Sequence, residues 1–340
     1  MPVIFFTGFP GFLGAELLPR LLARSPDLRA VCLVQPKFAE LARQRAGPRI
    51  QIVEGDITTP LRISGDDIVE IYHLAAIYDL MVPRDLGMRV NVDGTRQVLD
   101  FAERCPSLRR FHYVSTCYVS GRYDGVFSEN DLQKGQTFNN YYEETKFLAE
   151  VEVRKRAGLP VTIYRPSVVV GDSRSGATQK FDGPYFVMQW LLRQPRLAVL
   201  PVVGRPKRYR FNVVPRDFIV AAIERLGAMP ASRGKVYHLA DPDPMTVDET
   251  IDAIAQATGR SVIRIPITRG IAKAALDYGL YRLMRIPSAA VDYFVHPTLY
   301  DTANAQTDLG DLRVPRLRDY LPRLVDFARG HPEIGSAAMA

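Results

Sequence analysis

Short apolar runs alternate with amphipathic stretches through the first half of the chain. The runs are rich in valine, isoleucine and phenylalanine, and most are followed by a segment whose apolar residues have helical spacing. This pattern predicts an α/β protein with a doubly wound parallel sheet that is covered by helices on both faces. The predicted strands are residues 3–7, 30–34, 50–54, 68–74, 111–115 and 161–165, and the predicted helices are residues 11–24, 90–104 and 141–156.

The pattern is less regular after Pro166. Residues 172–183 are polar and contain glycine, which indicates a loop, and residues 246–259 read as a capped helix ended by glycine. Further predicted elements are helices at 186–193 and 216–225 and strands at 211–214 and 236–239. The predicted organisation is a first domain over residues 1–170, to which residues 208–228 return, and a smaller C-terminal α/β cap over residues 171–207 and 229–335.

Composition adds limits to this picture. The 340 residues are 47% hydrophobic and 24% charged, which is ample material for a core. The net charge of +7 suits an anionic ligand, but the basic residues are spread along the chain, so no nucleic-acid partner is expected. Cys32, Cys105 and Cys117 lack metal-ligand or disulfide spacing, and we expect reduced, buried thiols and no metal site. The chain opens on a strand without a signal peptide, and no apolar stretch reaches membrane-spanning length, so we expect a cytoplasmic protein.

Three glycines follow the first predicted strand and open a helix. The segment reads Gly8, Phe9, Pro10, Gly11, Phe12, Leu13 and Gly14. Such glycines let the backbone turn tightly and approach a pyrophosphate, which then lies at the positive end of the helix. A structural strand-to-helix turn is the alternative for a glycine triplet alone. The strand before it and the amphipathic helix after it favour a Rossmann-type dinucleotide site.

The end of the second strand bears on the choice of dinucleotide. NAD-binding folds of this kind place a carboxylate there to hold the ribose. Here Gln35 and Lys37 occupy the position, with Arg43 or Arg45 behind them. These side chains favour NADP over NAD because they suit a 2′-phosphate; the alternative is a solvated basic helix face.

Two further strand ends supply candidate cofactor contacts. Asp56, followed by Ile57, is suited to accept a hydrogen bond from an adenine amino group, although a Gly-Asp pair is also ordinary turn chemistry. Ala75 and Ala76 are small enough to let a flat ring or ribose pass close, and ordinary packing explains them equally well.

A tyrosine and a lysine four residues apart carry the candidate chemistry. Tyr142 and Lys146 share one face of a predicted helix, where the ammonium lowers the cost of ionising the phenol. A phenol with a lowered pKa exchanges a proton with a carbonyl or an alcohol near neutral pH. Ser115 and Thr116 end the fifth strand at the carboxyl edge of the sheet, where a hydroxyl would hold the reacting oxygen. The alternative is an amphipathic helix with a buried tyrosine and an exposed lysine.

With these residues in place, the chain closely resembles the extended short-chain dehydrogenase/reductases. The resemblance implies that Tyr142 is the general acid/base and that Lys146 holds the nicotinamide ribose and lowers the tyrosine pKa. It implies that Thr116, with Ser115 as second choice, binds the reacting oxygen. Asn91 resembles the asparagine that supports a proton relay in that family.

A narrower resemblance rests on residues 114–119, 164–176 and 180–186. These segments are similar to the branch that contains fatty acyl-CoA reductases and the thioester-reductase domains of carboxylic acid reductases and peptide synthetases. The branch implies NADPH, a small-molecule substrate that is an acyl thioester or an apolar carbonyl compound, and a nicotinamide face lined by Pro166, Ser167 and Val168. The wider family also implies a homodimer that pairs through two helices.

The leading hypothesis is an NADP(H)-dependent reductase of an acyl thioester or a hydrophobic aldehyde or ketone. One alternative is an NAD-dependent sugar-nucleotide epimerase or dehydratase, which shares the fold and the catalytic pair. The missing carboxylate after the second strand argues against it. Another alternative is a non-catalytic dinucleotide-binding redox sensor, which has no need of Thr116, Tyr142 and Lys146.

Two basic segments of the second half bear on partners. Residues 270–285 are compatible with an amphipathic helix that covers a lipid-like tail or makes peripheral contact with an anionic membrane, or that packs on the core of the cap. Residues 205–210 cluster positive charge that suits a CoA or nucleotide phosphate, with a solvated loop as the equal alternative.

Overall fold

A computed structural model describes residues 1–280 and 286–334 of the chain. The strands are β1 (Val3–Thr7), β2 (Arg29–Val34), β3 (Ile50–Glu54), β4 (Ile68–His73), β5 (Arg110–Val114), β6 (Gly125–Phe127), β7 (Val161–Pro166), β8 (Val168–Val170), β9 (Leu197–Val203), β10 (Val213–Pro215), β11 (Val236–Leu239), β12 (Ser261–Ile267) and β13 (Thr298–Tyr300). The helices are α1 (Gly14–Ala23), α2 (Pro36–Arg45), α3 (Arg84–Gly87), α4 (Gly94–Ala102), α5 (Tyr141–Lys155), α6 (Pro184–Leu192), α7 (Arg216–Ala228), α8 (Val247–Thr258), α9 (Arg269–Ala275), α10 (Ala303–Leu309) and α11 (Leu317–Gly330).

Seven parallel strands form the main sheet in the order β11-β7-β5-β4-β1-β2-β3. This arrangement confirms the predicted doubly wound α/β fold. The strand order reverses between β1 and β4, and open sheets of this kind bind ligands at the carboxyl ends of the strands beside that point. The ends of β1, β4, β5 and β7 therefore carry the segments that the sequence analysis singled out.

Helices cover both faces of the sheet. On one face α1 and α7 pack their apolar residues, including Leu17, Leu21 and Ile223, against β1, β2 and neighbouring strands. On the other face α4 and α5 contribute Val98 and Ala149, with further residues of the same core. Burying both faces of a parallel sheet explains why its strands read as near-continuous apolar runs.

The helix that carries Tyr142 begins where its capping residue indicates. The Asn140 side chain accepts a hydrogen bond from the Glu143 amide at 3.0 Å, which satisfies one of the free amides of the first turn. The predicted helix 90–104 begins earlier in the structure, since α3 continues through the π-helical turn Met88–Asp93 into α4.

The second half of the chain builds its own core beside the sheet. Residues of α6, α8, α11 and β9 form a cluster that includes Met188, Ile254 and Leu324. β11 falls within the range assigned to the cap, yet it pairs with β7 at the edge of the main sheet. The predicted division into domains otherwise stays a prediction.

β9 and β12 form a separate parallel pair with one apolar face exposed to solvent. The exposed fractions are 60% for Leu197, 48% for Ile263 and 46% for Ile265. Over residues 1–280 and 286–334, no helix has both the length and the apolar character needed to cross a bilayer.

Candidate active site

A cavity of about 570 Å³ runs along the carboxyl edge of the main sheet. Its lining includes the predicted residues Gly8, Phe9, Pro10, Gly11, Phe12, Leu13, Gly14, Gln35, Lys37, Ile57, Ala75, Ala76, Ser115, Thr116, Tyr142, Lys146, Pro166, Ser167 and Val168. Asp56 and Asn91 are not among the lining residues. The glycine turn and the tyrosine-lysine pair, far apart in sequence, therefore open onto one cleft.

The glycine turn lies so close to the residues after β4 that no side chain fits between them. Gly8 has φ +95°, and a Cβ added there would lie 2.9 Å from Cβ of Leu74 and 3.0 Å from the amide nitrogen of Ala75. A Cβ on Gly14 would lie 2.4 Å from the carbonyl oxygen of Gly8. Only glycine fits at both positions, and the turn leads directly into the N-terminus of α1, where a phosphate is favoured.

An unpaired hydroxyl at the other end of the cleft also suits a dinucleotide. The hydroxyl of Ser167 is buried, lines the cleft and has no hydrogen-bond partner among the described residues. A buried polar atom without a partner is costly unless a ligand or water satisfies it. Together with the glycine turn, this residue fits the requirements of a nicotinamide dinucleotide.

The Lys146 ammonium is held deep in the wall of the cleft. Its Nζ donates to the Tyr113 hydroxyl at 3.0 Å and to the Val114 carbonyl at 2.9 Å. Burial lowers the pKa of Lys146 to about 7, and the Glu150 carboxylate opposes that decrease. Lys146 is therefore buried and oriented, which removes the alternative of an exposed lysine on an amphipathic helix.

The pKa of Tyr142 is not lowered, contrary to what its spacing from Lys146 suggested. Burial raises the pKa of the phenol, and a hydrogen bond with the Thr116 side chain opposes the increase. The carboxylates of Glu143 and Asp182 add to the increase. Since Lys146 donates to Tyr113 and Val114, its ammonium is committed elsewhere. The phenol is thus protonated at neutral pH, which suits the donation of a proton.

The two hydroxyls that follow β5 have different surroundings. Thr116 contacts the Tyr142 phenol, and its Oγ1 accepts from the Tyr118 amide at 3.2 Å. Ser115 instead donates to Oε2 of Glu150 at 2.7 Å. The geometry therefore favours Thr116 over Ser115 as the hydroxyl beside the phenol, in the order that the resemblance implied.

Glu150 joins three elements of the site behind the cleft wall. Besides the bond from Ser115, its carboxylate accepts from Nε of Arg165 at 3.0 Å and from Nη2 of the same guanidinium at 2.6 Å. Both Glu150 and Arg165 are fully buried. Burial raises the pKa of Glu150, but the Arg165 charge outweighs this and lowers it to about 2. The pair therefore ties α5 to the ends of β5 and β7.

Asn91 and Asp56 have structural partners in place of cleft contacts. The Asn91 side chain accepts from the Ile77 amide at 2.9 Å and donates to the Thr145 hydroxyl at 3.0 Å, one residue before Lys146. Asp56 accepts from the Gln35 amide nitrogen at 2.7 Å and from the Thr58 amide at 2.8 Å. The bond from Thr58 is the kind that the turn-chemistry alternative describes, and the adenine contact of Asp56 stays a prediction.

The basic residues behind β2 divide between the cleft and the surface. Lys37 lines the cleft, and a guanidinium nitrogen of Arg45 donates to the Pro10 carbonyl at 3.4 Å, beside the glycine turn. Arg43 pairs with Glu54 at the surface. Of the two candidate arginines, Arg45 is the one positioned near the site.

Aromatic residues that the sequence analysis did not single out form the wall opposite Tyr142. The Tyr78 ring meets the Tyr142 ring edge-on, with centroids 5.0 Å apart. The Tyr118 and Tyr293 rings meet edge-on at 4.5 Å. Tyr78 comes from the loop after β4 and Tyr293 from the 3₁₀ helix Ser288–Val295, and the sequence pattern predicts no element in either segment.

The structure bears on the two basic segments, residues 205–210 and 270–285, in different ways. In residues 205–210, Arg208 pairs with Asp124 and Arg210 with Asp243, so part of that charge is neutralised within the protein. The predicted helix 270–285 is broken, since α9 ends at Ala275 and Gly279 has φ +129° in the turn that follows. Residues 281–285 of that prediction lie outside the described residues.

The chain has relatives among reductases and peptide synthetases. Residues 6–223 match the family described as male sterility protein. Over 283 residues the chain is 26% identical to nonribosomal peptide synthetase asaC of Aspergillus flavus, covering 73% of this chain and 27% of that protein. It spans between 5% and 28% of the length of four such synthetases. It is also 26% identical to a 3-beta-hydroxysteroid dehydrogenase of Mycolicibacterium neoaurum, covering 90% of this chain and 86% of that protein.

Solved structures of related proteins superpose on the chain over nearly its full length. The terminal R domain from the myxalamid PKS-NRPS biosynthetic pathway superposes with a TM-score of 0.81 at 27% identity, covering 98% of this chain and 91% of that chain. A UDP-glucuronic acid 4-epimerase from Bacillus cereus shares the fold, with a TM-score of 0.69 at 20% identity, covering 99% of each chain. The chain therefore belongs to the male sterility protein family, in the thioester-reductase branch of the extended short-chain dehydrogenase/reductases, and is an NAD(P)-dependent oxidoreductase of that type.

Proposed function

We propose that the protein uses NADPH to reduce the carbonyl group of an acyl thioester or of an apolar aldehyde or ketone. The observation that carries the proposal is the position of the Tyr142 phenol beside Thr116, in the same cleft as the glycine turn. Reduction of a carbonyl group leaves a developing negative charge on oxygen, and a protonated phenol is suited to neutralise it.

Each polar residue of the cleft has a separate role in this reaction. The nicotinamide, when bound, supplies the hydride that adds to the carbonyl carbon. Thr116 orients the carbonyl oxygen beside the phenol, and Tyr142 transfers its proton to that oxygen. The resemblance assigns the Lys146 ammonium, one helical turn away, to the nicotinamide ribose, where its charge would also lie near the phenolate that remains. With a thioester substrate this step gives a hemithioacetal. Its carbon–sulfur bond then breaks as the hydroxyl proton passes to sulfur, and the products are an aldehyde and a thiol.

The preference for NADP rests on the chemistry at the end of β2. Gln35 and Lys37 line the cleft there, and Arg45 lies beside the glycine turn. Among the described lining residues, Asp182 is the sole carboxylate, and it stands with Thr178 and Lys180 at the cap end. A 2′-phosphate at this position would meet the positive charges of Lys37 and Arg45, with the Asp56 carboxylate behind Gln35, from which it accepts at 2.7 Å.

The substrate class is supported by the relatives and by the lining. Terminal reductase domains and peptide synthetases among the relatives favour a thioester. The steroid dehydrogenase, which matches nearly the whole chain, favours an apolar ketone or alcohol as the second candidate. Both substrates suit a cleft whose cap side presents Tyr78, Tyr118 and Tyr293.

NADPH oxidation measured against acyl-CoAs, long-chain aldehydes, ketosteroids and nucleotide sugars tests the proposal. Tyr142→Phe should lower kcat by about 100-fold or more, because the proton donor is lost, and should leave NADPH binding intact. Tyr141→Phe is the matched control, since that neighbouring side chain is 48% exposed. Turnover of nucleotide sugars without net NADPH oxidation would favour the epimerase alternative. Equal activity of wild type and Tyr142→Phe would overturn the assigned role.

The homodimer, the peripheral membrane contact and the cytoplasmic location stay predictions. The exposed side chains of Ile271 and Tyr278 are compatible with contact to a lipid surface. Ala272 and Leu276 of the same segment are buried in a cluster of the cap, which fits the alternative of packing on its core.

A further inference from the structure

A second, smaller cavity of about 150 Å³ adjoins the cleft. It lies among the 3₁₀ turn Cys117–Ser120, the loop at residues 241–244 and the segment around β13. Tyr118 lines both cavities. The second cavity therefore begins one side chain away from the proposed catalytic residues.

His296 lines this cavity with an unsatisfied nitrogen. The imidazole is 5% exposed, and its Nε2 is hydrogen-bonded to the Tyr300 hydroxyl at 2.7 Å. Its Nδ1 has no hydrogen-bond partner among the described residues. Burial, together with the nearby Arg122 charge, lowers the pKa of His296 to about 3, so the ring is neutral. A neutral, buried nitrogen of this kind requires a partner that the described part of the chain does not supply.

Tyr118 forms the partition between the two cavities. Its ring meets Tyr293 of the cleft edge-on at 4.5 Å and His296 edge-on at 5.0 Å. The Tyr118 amide donates to Oγ1 of Thr116, which fixes the partition relative to the proposed position of the reacting oxygen. A substrate that extends past Tyr118 would therefore reach His296 at a set spacing from its carbonyl group.

Part of the polar lining of the second cavity is already paired within the protein. Arg210 pairs with Asp243 at 3.5 Å and donates to the Pro244 carbonyl at 2.7 Å. The Asn212 amide is taken by backbone groups of Asp241. The lining carries the carboxylates of Asp241 and Asp243 against the single guanidinium of Arg210, so it disfavours an anion. The neutral ring of His296 suits a neutral hydrogen-bonding group.

We propose that this second cavity is a substrate subsite that binds a neutral amide or hydroxyl group remote from the reacting carbonyl, with Nδ1 of His296 as its hydrogen-bond partner. The inference rests on the proposed reductase function, because the ligand is the distal part of that substrate. Tyr118 sets the spacing between the two ends. The site thus selects substrates that carry a polar group at a defined distance from the carbonyl.

A paired series of aldehydes tests the subsite. Each aldehyde carries a secondary amide, moved one atom at a time along the chain, and its partner has two methylene groups in place of the amide. Wild type should prefer one amide position by about tenfold or more in kcat/KM, since a site built for a hydrogen bond discriminates against an analogue that lacks the group. His296→Phe, which keeps an aromatic ring against Tyr118, should erase this preference and leave the all-methylene aldehydes within about twofold.

His331→Phe is the control for the loss of a histidine, because His331 stacks on Phe327 and is not among the lining residues of either cavity; the preference should persist. As a readout independent of turnover, the ¹⁵N signal of His296 Nδ1 should shift when the alcohol product of the preferred amide is added with NADP⁺. No amide preference at any position, with all aldehydes reduced, would overturn the subsite and leave the reductase intact. No NADPH oxidation with any aldehyde or thioester would overturn the reductase itself.

Discussion

At the scale of single residues, burial shifts the pKa values of Tyr142 and Lys146 away from those that their spacing suggests. The i, i+4 pair of Tyr142 and Lys146 is where the sequence placed it, but burial raises the pKa of the phenol and lowers the pKa of the ammonium to about 7. Sequence spacing identifies which groups share a helix face; it contains no information on how much water each group loses. The hydroxyls of Ser115 and Thr116 illustrate the same limit, since adjacent residues have different partners.

The buried ammonium makes stability depend on pH. The pKa of Lys146 is about 7 in the folded chain and about 10.4 in an unfolded one. Between these values the unfolded chain binds more protons, so the free energy of unfolding should rise with pH, by at most about 1.4 kcal/mol per pH unit. Lys146→Met should lack this part of the rise. Urea unfolding from about pH 7 to about pH 9 measures it.

Lys155→Met serves as the control for the loss of a lysine, because that side chain is 64% exposed and pairs with Glu152 at 2.8 Å. It should keep the slope of the wild type. Identical slopes for wild type and Lys146→Met would mean that the folded protein holds the ammonium at its ordinary pKa.

At the scale of elements, Glu150 shows how α5 is fixed to the strands it serves. Removing one partner of a buried ion pair leaves the other charge unpaired, at a cost of about 3–5 kcal/mol. Glu150→Gln should therefore lower the free energy of unfolding by that order because Arg165 loses its counter-ion. It should also lower the pKa of Lys146 further, since Glu150 raises it. Chemical denaturation at neutral pH measures the first effect, and the pH dependence of amine labelling at Lys146 the second.

The same substitution at Glu152 is a matched comparison on the same helix. Glu152 pairs with Arg96 and Lys155 near the surface, so Glu152→Gln should change the free energy of unfolding by less than about 1 kcal/mol. Equal losses in the two variants would show that the buried network does not fix α5.

The elements of the main sheet could be predicted because their strands are buried on both faces and therefore uninterrupted. β9 and β12 were missed: Pro201 and Pro266 lie within them, and residues 261–267 are largely exposed. The Pro322-containing helix α11 was also missed, for the same reason that proline ordinarily ends helices. Likewise, Tyr78 and Tyr293 reach the cleft from a loop and a short 3₁₀ helix, in which the apolar pattern predicts no element.

At the scale of the whole molecule, β1 divides the cleft into two halves. β2 and α2 lie on one side with Lys37 and Arg45, while β5, β7 and α5 lie on the other with Thr116 and Tyr142. Arg45→Ala should raise KM for NADPH by about tenfold, the cost of one charge-assisted contact, with kcat unchanged. KM for NADH should stay within about twofold.

Arg43→Ala controls for the loss of an arginine from α2, because Arg43 pairs with Glu54 at the surface. Steady-state kinetics with both cofactors distinguishes the variants. A parallel loss with NADPH and NADH in Arg45→Ala would remove the argument for a 2′-phosphate contact.

The exposed apolar face of the β9–β12 pair has a practical consequence for anyone who purifies this protein. A two-stranded ribbon with Leu197, Ile263 and Ile265 in solvent favours association of chains through this face at high concentration. Precipitation on concentrating should therefore begin at this ribbon. Lysine in place of Ile265 is the first change to make for crystallisation trials or long storage.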